Sequence, residues 1–142
     1  MNILLDTDVL SLLAPERPAA PPAMRHWIEE KGSSLFISVV TVAEIERGLR
    51  KLARMGRSRK AEIIRGWFSL VTDTYAERIL PFDIEAARIA GRLDDLAAAK
   101  GFNMLFADVA IAATAARHDM AVATRNIRRF EPLGVRLAEM PI

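Results

Sequence analysis

Four short motifs each place an acidic or amide side chain where an apolar strand or helix begins or ends. In an open α/β domain, segments that are far apart in sequence meet at the carboxyl edge of the sheet. Carboxylates gathered there are suited to a hard divalent cation, which takes oxygen ligands and can activate water against a phosphate. The side chains are Asp6 and Asp8 after the apolar run 3–5, Glu44 in 41–44, Asp108 in 106–110 and Asn126 in 124–126.

Each of these acids also has an ordinary structural explanation. Thr41 and Glu44 have the spacing of a capping box, in which each side chain bonds the backbone amide of the other residue. Asp108 would lie in the first turn of a helix, where the helix dipole favours a negative charge. Asp6 and Asp8 follow a strand and open a helix, where Asp is a preferred cap.

The combination favours a functional site over four separate caps. Asp6, Glu44 and Asn126 share one edge of the sheet if the strands are parallel. Asp108 stands among apolar residues, with no lysine or arginine within one helical turn on either side. Because a carboxylate in apolar surroundings needs a partner, a metal ion is a good candidate for that partner.

The hydrophobic pattern predicts strands that alternate with helices along one domain, residues 1–142. This order is typical of an α/β fold with a short parallel sheet of about five strands and helices on both faces. A proline-rich stretch, 14–22, predicts a surface loop. Strands are predicted at 2–5, 35–37, 78–81, 121–123 and 135–137, and helices at 8–13, 23–31, 41–52, 59–71, 84–100 and 105–117.

The amino-acid composition excludes several kinds of site and favours one cellular compartment. The chain has no cysteine, which excludes disulfides and thiolate metal sites and favours a reducing compartment. It has neither a signal-peptide pattern at its start nor an apolar run long enough to span a membrane. We therefore expect a cytoplasmic protein that does not associate with membranes.

Positive charge is concentrated in one segment, 47–65. Eight basic residues stand there against Glu62 alone, so the segment carries about +7 while the net charge of the whole chain is +2. Such asymmetry favours a polyanionic partner. A solvated helical face is the alternative explanation.

The four motifs, 6–10, 38–48, 107–115 and 124–126, resemble those of PIN-domain proteins. The resemblance is strongest to VapC-type toxins of bacterial toxin–antitoxin pairs, including the FitB-like branch, and it covers nearly the whole chain in the same order. It implies a PIN-like fold in which Asp6, Glu44 and Asp108 bind Mg²⁺ or Mn²⁺ and support RNA cleavage. Asn126 stands where the family often carries a further acid, and as a fourth catalytic residue it would give a carbonyl ligand or orient a water. Asp8, Thr41 and Thr124 would support the site.

The resemblance also implies partners and products. We expect a homodimer, a small DNA-binding antitoxin of the VapB type that quenches the site, and products with a 5′-phosphate and a 3′-hydroxyl. The bound metal would lower the pKa of a water that attacks the scissile phosphate. Basic side chains would hold the RNA phosphates: Arg125, Arg128 and Arg129 near the site, and Arg57, Arg59 and Lys60 in the basic segment.

Two other functions fit parts of the sequence. The first motif also looks like that of haloacid-dehalogenase-type phosphatases, in which Asp6 would be a covalent nucleophile and Asp8 the acid/base. The remaining motifs of that family are missing. The chain could also be a PIN-like module without catalysis, acting with a DNA-binding antitoxin in repression.

Overall fold

A computed structural model of the chain describes residues 1–15 and 18–141. Strands and helices alternate as predicted, and the first four helices begin one or two residues earlier than the sequence pattern indicated. The strands are β1 (Ile3–Leu5), β2 (Leu35–Ser38), β3 (Ile79–Leu80) and β4 (Ala121–Ala123). The helices are α1 (Thr7–Ser11), α2 (Pro22–Lys31), α3 (Val39–Arg54), α4 (Ser58–Thr74), α5 (Ile84–Ala99) and α6 (Phe106–Arg117), with short 3₁₀ turns at Gly32–Ser34, Ala76–Arg78, Ile127–Arg129 and Glu131–Leu133.

The four strands form one parallel sheet in the order β3-β2-β1-β4. The two central strands, β2 and β1, therefore direct their carboxyl ends to the same edge, and β4 joins them there. The chain order βαβ with helices between parallel strands confirms the predicted α/β class.

The predicted fifth strand, 135–137, is reduced to a single parallel bridge between Val122 and Leu137. The Val122 N–H donates to the Arg136 carbonyl at 2.9 Å, and the Ala138 N–H donates to the Val122 carbonyl at 2.8 Å. These two hydrogen bonds lie on either side of Leu137, so the pairing of this segment with β4 is confined to one residue. The sheet therefore has four strands rather than about five.

Alternate side chains of the strands enter two separate cores, as the pleat of a strand requires. Ile3 and Leu5 of β1 pack in a core with residues of α1, α2, α3 and α4. Leu4, between them, packs in a second core with Val122 of β4 and residues of α5 and α6. Both faces of the sheet are thus covered by helices, as predicted.

The start of α3 differs from the predicted capping box. Ser38, not Thr41, is the N-cap, and its side chain accepts a hydrogen bond from the Val40 N–H at 3.0 Å. Because Ser38 already satisfies an amide of the first turn, the helix begins at Val39. Thr41 and Glu44 consequently lie inside the helix, with their side chains free for other contacts.

The loop predicted at 14–22 includes Glu16 and Arg17, which lie outside the described residues. Within residues 1–15 and 18–141, no helix combines the length and the apolar character needed to cross a membrane.

Candidate active site

Four elements carry the predicted site residues toward the carboxyl edge of the sheet. Asp6 follows β1 directly and Thr124 follows β4 directly, while Glu44 lies in α3, the helix that continues from β2. Asp108 lies in the first turn of α6, as predicted. Asp6 and Asp108 are each only 2% exposed, whereas Glu44 is half-buried.

Asp6 is held by the neighbouring strand. Its backbone N–H donates to the Ala123 carbonyl at 2.9 Å, and its Oδ2 accepts a hydrogen bond from the Thr124 hydroxyl at 2.9 Å. The Thr124 hydroxyl oxygen in turn accepts the Asn126 N–H at 3.0 Å. Although Asp6 occupies the N-cap position of α1, its side chain makes no capping bond there, so helix capping does not explain it.

The pKa of Asp6 is raised from 3.8 to about 6, mainly by burial and in smaller part by the charge of Asp108. The hydrogen bond from Thr124 and the charge of Arg129 act in the opposite direction. Two buried carboxylates are therefore close enough to repel each other. This is the electrostatic situation that a bound cation relieves.

Thr7, a residue that the sequence analysis did not single out, connects α1 to α3. Its hydroxyl donates to Glu44 Oε1 at 2.6 Å and lies 2.9 Å from the Thr41 hydroxyl. Since a hydroxyl has a single proton and Thr7 gives its proton to Glu44, Thr41 must donate to Thr7. The only signal for Thr7 in the sequence was its position between Asp6 and Asp8.

Asp108 has a cationic partner that the local sequence did not reveal. Arg129 donates from Nε to Asp108 Oδ2 at 2.9 Å and from Nη2 to Oδ1 at 2.6 Å. No lysine or arginine lies within one helical turn of Asp108 in the sequence, but the fold brings Arg129 to it from 21 positions away. This bidentate contact raises the pKa of Arg129, and the charges of Asp6 and Glu44 add to the rise.

A second bidentate pair lies at the rim of the site. Arg125 donates from Nε and Nη2 to the two carboxylate oxygens of Asp8, each at 3.0 Å. The hydrogen bond with Asp8 raises the pKa of Arg125. Of the three arginines predicted to bind phosphates near the site, Arg125 and Arg129 thus contact carboxylates, while Arg128 is exposed. Asn126 is exposed as well, and its backbone carbonyl accepts the Arg129 N–H at 3.1 Å.

The donor set fits Mg²⁺ or Mn²⁺ in kind, because Asp6, Glu44 and Asp108 offer hard carboxylate oxygens. In the arrangement observed, no three acidic, histidine or cysteine side chains of residues 1–15 and 18–141 are grouped so that they could hold one ion. In this arrangement both oxygens of Asp108 are bonded to Arg129. Metal binding by these residues stays a prediction.

The basic residues Arg57, Arg59 and Lys60 lie where α3 ends and α4 begins, away from the acids. At 1.5 Å per residue, the last residue of α3 is already about 15 Å from Glu44 along the helix axis. Two other cations of the segment, Arg50 and Arg65, bind Glu46 at 3.0 Å, which lowers the pKa of that carboxyl. The structure therefore does not bring this segment into the acidic cluster.

Comparisons with known proteins agree with this geometry. A family model described as PIN domain matches residues 3–134. The VapC ribonuclease Y4jK of Sinorhizobium fredii (strain NBRC 101917 / NGR234) is 36% identical over 135 residues, covering 94% of this chain and 93% of the relative. Toxin FitB of Neisseria gonorrhoeae (strain ATCC 700825 / FA 1090) is 33% identical over 129 residues, covering 90% of both chains.

Solved structures are similar over the same length. The crystal structure of FitAcB from Neisseria gonorrhoeae has a TM-score of 0.83 and 32% identity, covering 96% of both chains. Similar structures also include VapBC and FitAB complexes, some of them bound to DNA.

Proposed function

Because the chain belongs to the PIN domain family, we propose that it is the toxin of a toxin–antitoxin pair and acts as a metal-dependent endoribonuclease. Its relatives named VapC ribonuclease and toxin FitB support this assignment over nearly the full length of the chain. The observation that carries the proposal is the burial of Asp6 and Asp108 beside each other at the carboxyl edge of the sheet, with Glu44 facing the same cluster. Its expected location is the cytoplasm.

In this proposal Asp6, Asp108 and Glu44 hold Mg²⁺ or Mn²⁺. The bound ion supplies a water of lowered pKa and stabilises negative charge on the phosphate that is attacked. The protein's own side chains orient the ligands: Thr124 fixes Asp6 through its hydroxyl, and Thr7 fixes Glu44. Asn126 and Arg128 are exposed at the rim, where an amide and a guanidinium can bind the RNA backbone.

The phosphatase alternative is less well supported. It requires Asp8 to carry a proton and pass it to a leaving group. Both oxygens of Asp8 already accept N–H groups of Arg125, so in this arrangement Asp8 is engaged in an ion pair at the rim rather than directed at a leaving group. The match of the PIN domain model to residues 3–134 also favours the nuclease.

The catalytic proposal is tested with purified protein, free of antitoxin, on a fluorescent single-stranded RNA. We expect cleavage with Mg²⁺ or Mn²⁺, none with EDTA, and products with a 5′-phosphate by mass spectrometry. Asp6→Asn should lower kcat by about 100-fold or more, because it removes one of the buried carboxylates. The control Asp94→Asn changes an exposed acid on α5 and should cleave normally.

Undiminished cleavage by Asp6→Asn, or cleavage that persists in EDTA, would refute the mechanism. The absence of cleavage in every condition, together with tight binding of the antitoxin, would favour the non-catalytic module instead.

The partner proposed for this chain is a small DNA-binding antitoxin of the VapB or FitA type. The similar solved structures of VapBC and FitAB, including DNA-bound complexes, support this. The reading frame next to the gene is the natural candidate. Co-purification of that product with the tagged chain, and loss of RNA cleavage in the complex, are the expected results.

A further inference from the structure

Arg129 is the cation that pairs with Asp108 in the candidate site. Its guanidinium donates to both oxygens of Asp108, and the charges of Asp6 and Glu44 act on it as well. We propose that Arg129 is a built-in cation of this site: it neutralises the acids in the metal-free protein and must leave Asp108 when a divalent cation binds. This inference rests on the proposed metal-dependent function.

Arg129 and a metal ion would compete for Asp108. The two N–H groups of Arg129 occupy one lone pair on each oxygen of Asp108. If the guanidinium stayed in place while a divalent metal ion bound the same carboxylate, two cations would lie side by side. Such like charges repel strongly where water is scarce, and the Asp108 side chain is only 3% exposed. Because arginine does not lose its charge in proteins, the conflict can be resolved only by movement of the side chain.

Arg129 is placed so that it can move. Its side chain is 36% exposed, in contrast to Asp108, so it reaches the acid from the solvent side. Its backbone is anchored in the 3₁₀ turn Ile127–Arg129 by the bond from its N–H to the Asn126 carbonyl. A change of side-chain rotamer would therefore release Asp108 without disturbing the fold.

Once released, Arg129 needs another anion, and an RNA phosphate at the mouth of the site would provide one. The inference therefore assigns Arg129 two partners in turn, Asp108 in the free protein and a substrate phosphate in the loaded one. A bidentate guanidinium suits both a carboxylate and a phosphate. It follows that binding of the metal and binding of RNA favour each other.

The affinity for Mn²⁺ tests the first half of the inference, measured by calorimetry on the full chain without RNA. Arg129→Gln should bind Mn²⁺ about 10- to 100-fold more tightly than the unchanged protein, the scale of one charge-assisted hydrogen-bonded pair. Arg128→Gln is the matched control, because it removes the same charge from the adjacent position without touching Asp108. It should change the affinity for Mn²⁺ by less than about threefold, since an exposed charge is screened.

A second variant guards against misfolding, because Arg129→Gln leaves Asp108 without its partner. Arg129→Lys keeps the charge but cannot form the two parallel bonds. Its affinity for Mn²⁺ should therefore lie between those of the unchanged protein and Arg129→Gln. Circular dichroism checks the fold of each variant. If Arg129→Gln and Arg129→Lys both bind Mn²⁺ no more tightly than Arg128→Gln, Arg129 does not compete with the metal and the inference is overturned.

RNA binding by fluorescence anisotropy, with Ca²⁺ in place of Mg²⁺, tests the second half. Ca²⁺ should tighten RNA binding by the unchanged protein, and Arg129→Gln should lose that effect. The two proposals fail differently. Failure of every variant to bind Mn²⁺ would refute the proposed metal-dependent nuclease itself, whereas equal Mn²⁺ affinity in variants that still cleave RNA would refute only the role of Arg129.

Discussion

Burial of Asp6 costs the folded protein free energy, mainly because the carboxylate loses its contact with water and in smaller part because Asp108 repels it. The rise of its pKa from 3.8 to about 6 means that the folded protein holds a proton on Asp6 more firmly than the unfolded chain does. By linkage, this carboxyl favours folding at low pH, and that contribution is lost as the pH rises through about 6. A carboxylate that destabilises the fold at neutral pH is a candidate for a functional role rather than a packing role.

We predict that Asp6→Asn stabilises the metal-free protein at pH 7.5. Asparagine keeps an oxygen that accepts the Thr124 hydroxyl but removes the buried charge. The pKa rise corresponds to at most roughly 3 kcal/mol in the free energy of unfolding. Urea unfolding in EDTA should show a gain of about 1–3 kcal/mol at pH 7.5 that shrinks toward zero near pH 4. A gain of equal size at both pH values would show that the effect comes from shape and not from charge.

At the scale of elements, the contact between α1 and α3 depends on one hydroxyl. Thr7 donates to Glu44 and accepts from Thr41, so it fixes the acid that α3 contributes to the site. A hydrogen bond to a charged group is worth roughly 1.5–3 kcal/mol. The Ser38 cap fixes where α3 begins, and this places the side chains of Thr41 and Glu44 opposite Thr7.

Thr7→Val, which keeps the shape and removes the hydroxyl, should therefore lower kcat/KM by about 10-fold or more. We expect the loss in kcat rather than in KM, because Glu44 is mispositioned while RNA contacts at the rim remain. Thr72→Val is the control: its hydroxyl bonds only the Ser69 carbonyl within α4. If both variants lose the same small amount of activity, the Thr7 contact has no functional role.

The basic turn between α3 and α4 lies too far from the acids to touch the scissile phosphate, so we expect it to guide RNA through more remote phosphates. Changing Arg57, Arg59 and Lys60 together to Gln should raise KM and lower the slope of log Kd against log salt by about 2, as three lost phosphate contacts to single-stranded RNA predict. Metal affinity should not change. The measurement is fluorescence anisotropy with Ca²⁺ at several salt concentrations.

The matched control changes three exposed arginines of other helices, Arg25, Arg88 and Arg92, to Gln. Both triple variants remove the same net charge. A difference between their salt slopes would therefore report local contacts with RNA and not the overall charge of the protein. Equal salt slopes in the two variants would assign the phosphate contacts to the arginines near the site instead.

At the scale of the whole molecule, the sequence predicted the residues that adjoin the end of a strand or the start of a helix. It missed the contacts between side chains that are far apart in the chain. Asp6 and Asp108 could be placed because each adjoins a recognisable strand or helix. The Arg129–Asp108 pair could not, because it joins residues 21 positions apart through a 3₁₀ turn. Around α3, Ser38 and Thr41 are both competent caps, and local spacing alone could not decide between them.

The last prediction concerns self-association, which the resemblance to PIN-domain toxins implies. The start of α6 exposes Phe106, 67% accessible, whose ring meets Phe82 edge-on with 5.9 Å between ring centroids. An exposed aromatic side chain of this kind is a typical anchor of an interface. Because Asp108 lies one half-turn further along α6, pairing of two chains here would bring two acidic sites close together.

We therefore expect a homodimer at tens of micromolar by light scattering, and conversion to monomer by Phe106→Glu. Leu70→Glu is the control, since Leu70 on α4 is equally exposed, at 67%, but lies on another helix. Phe106→Glu should also weaken any larger assembly with the antitoxin, because two chains would no longer be joined. An unchanged protein that is strictly monomeric with and without antitoxin contradicts the homodimer, whereas equal dissociation in both variants would move the interface away from α6.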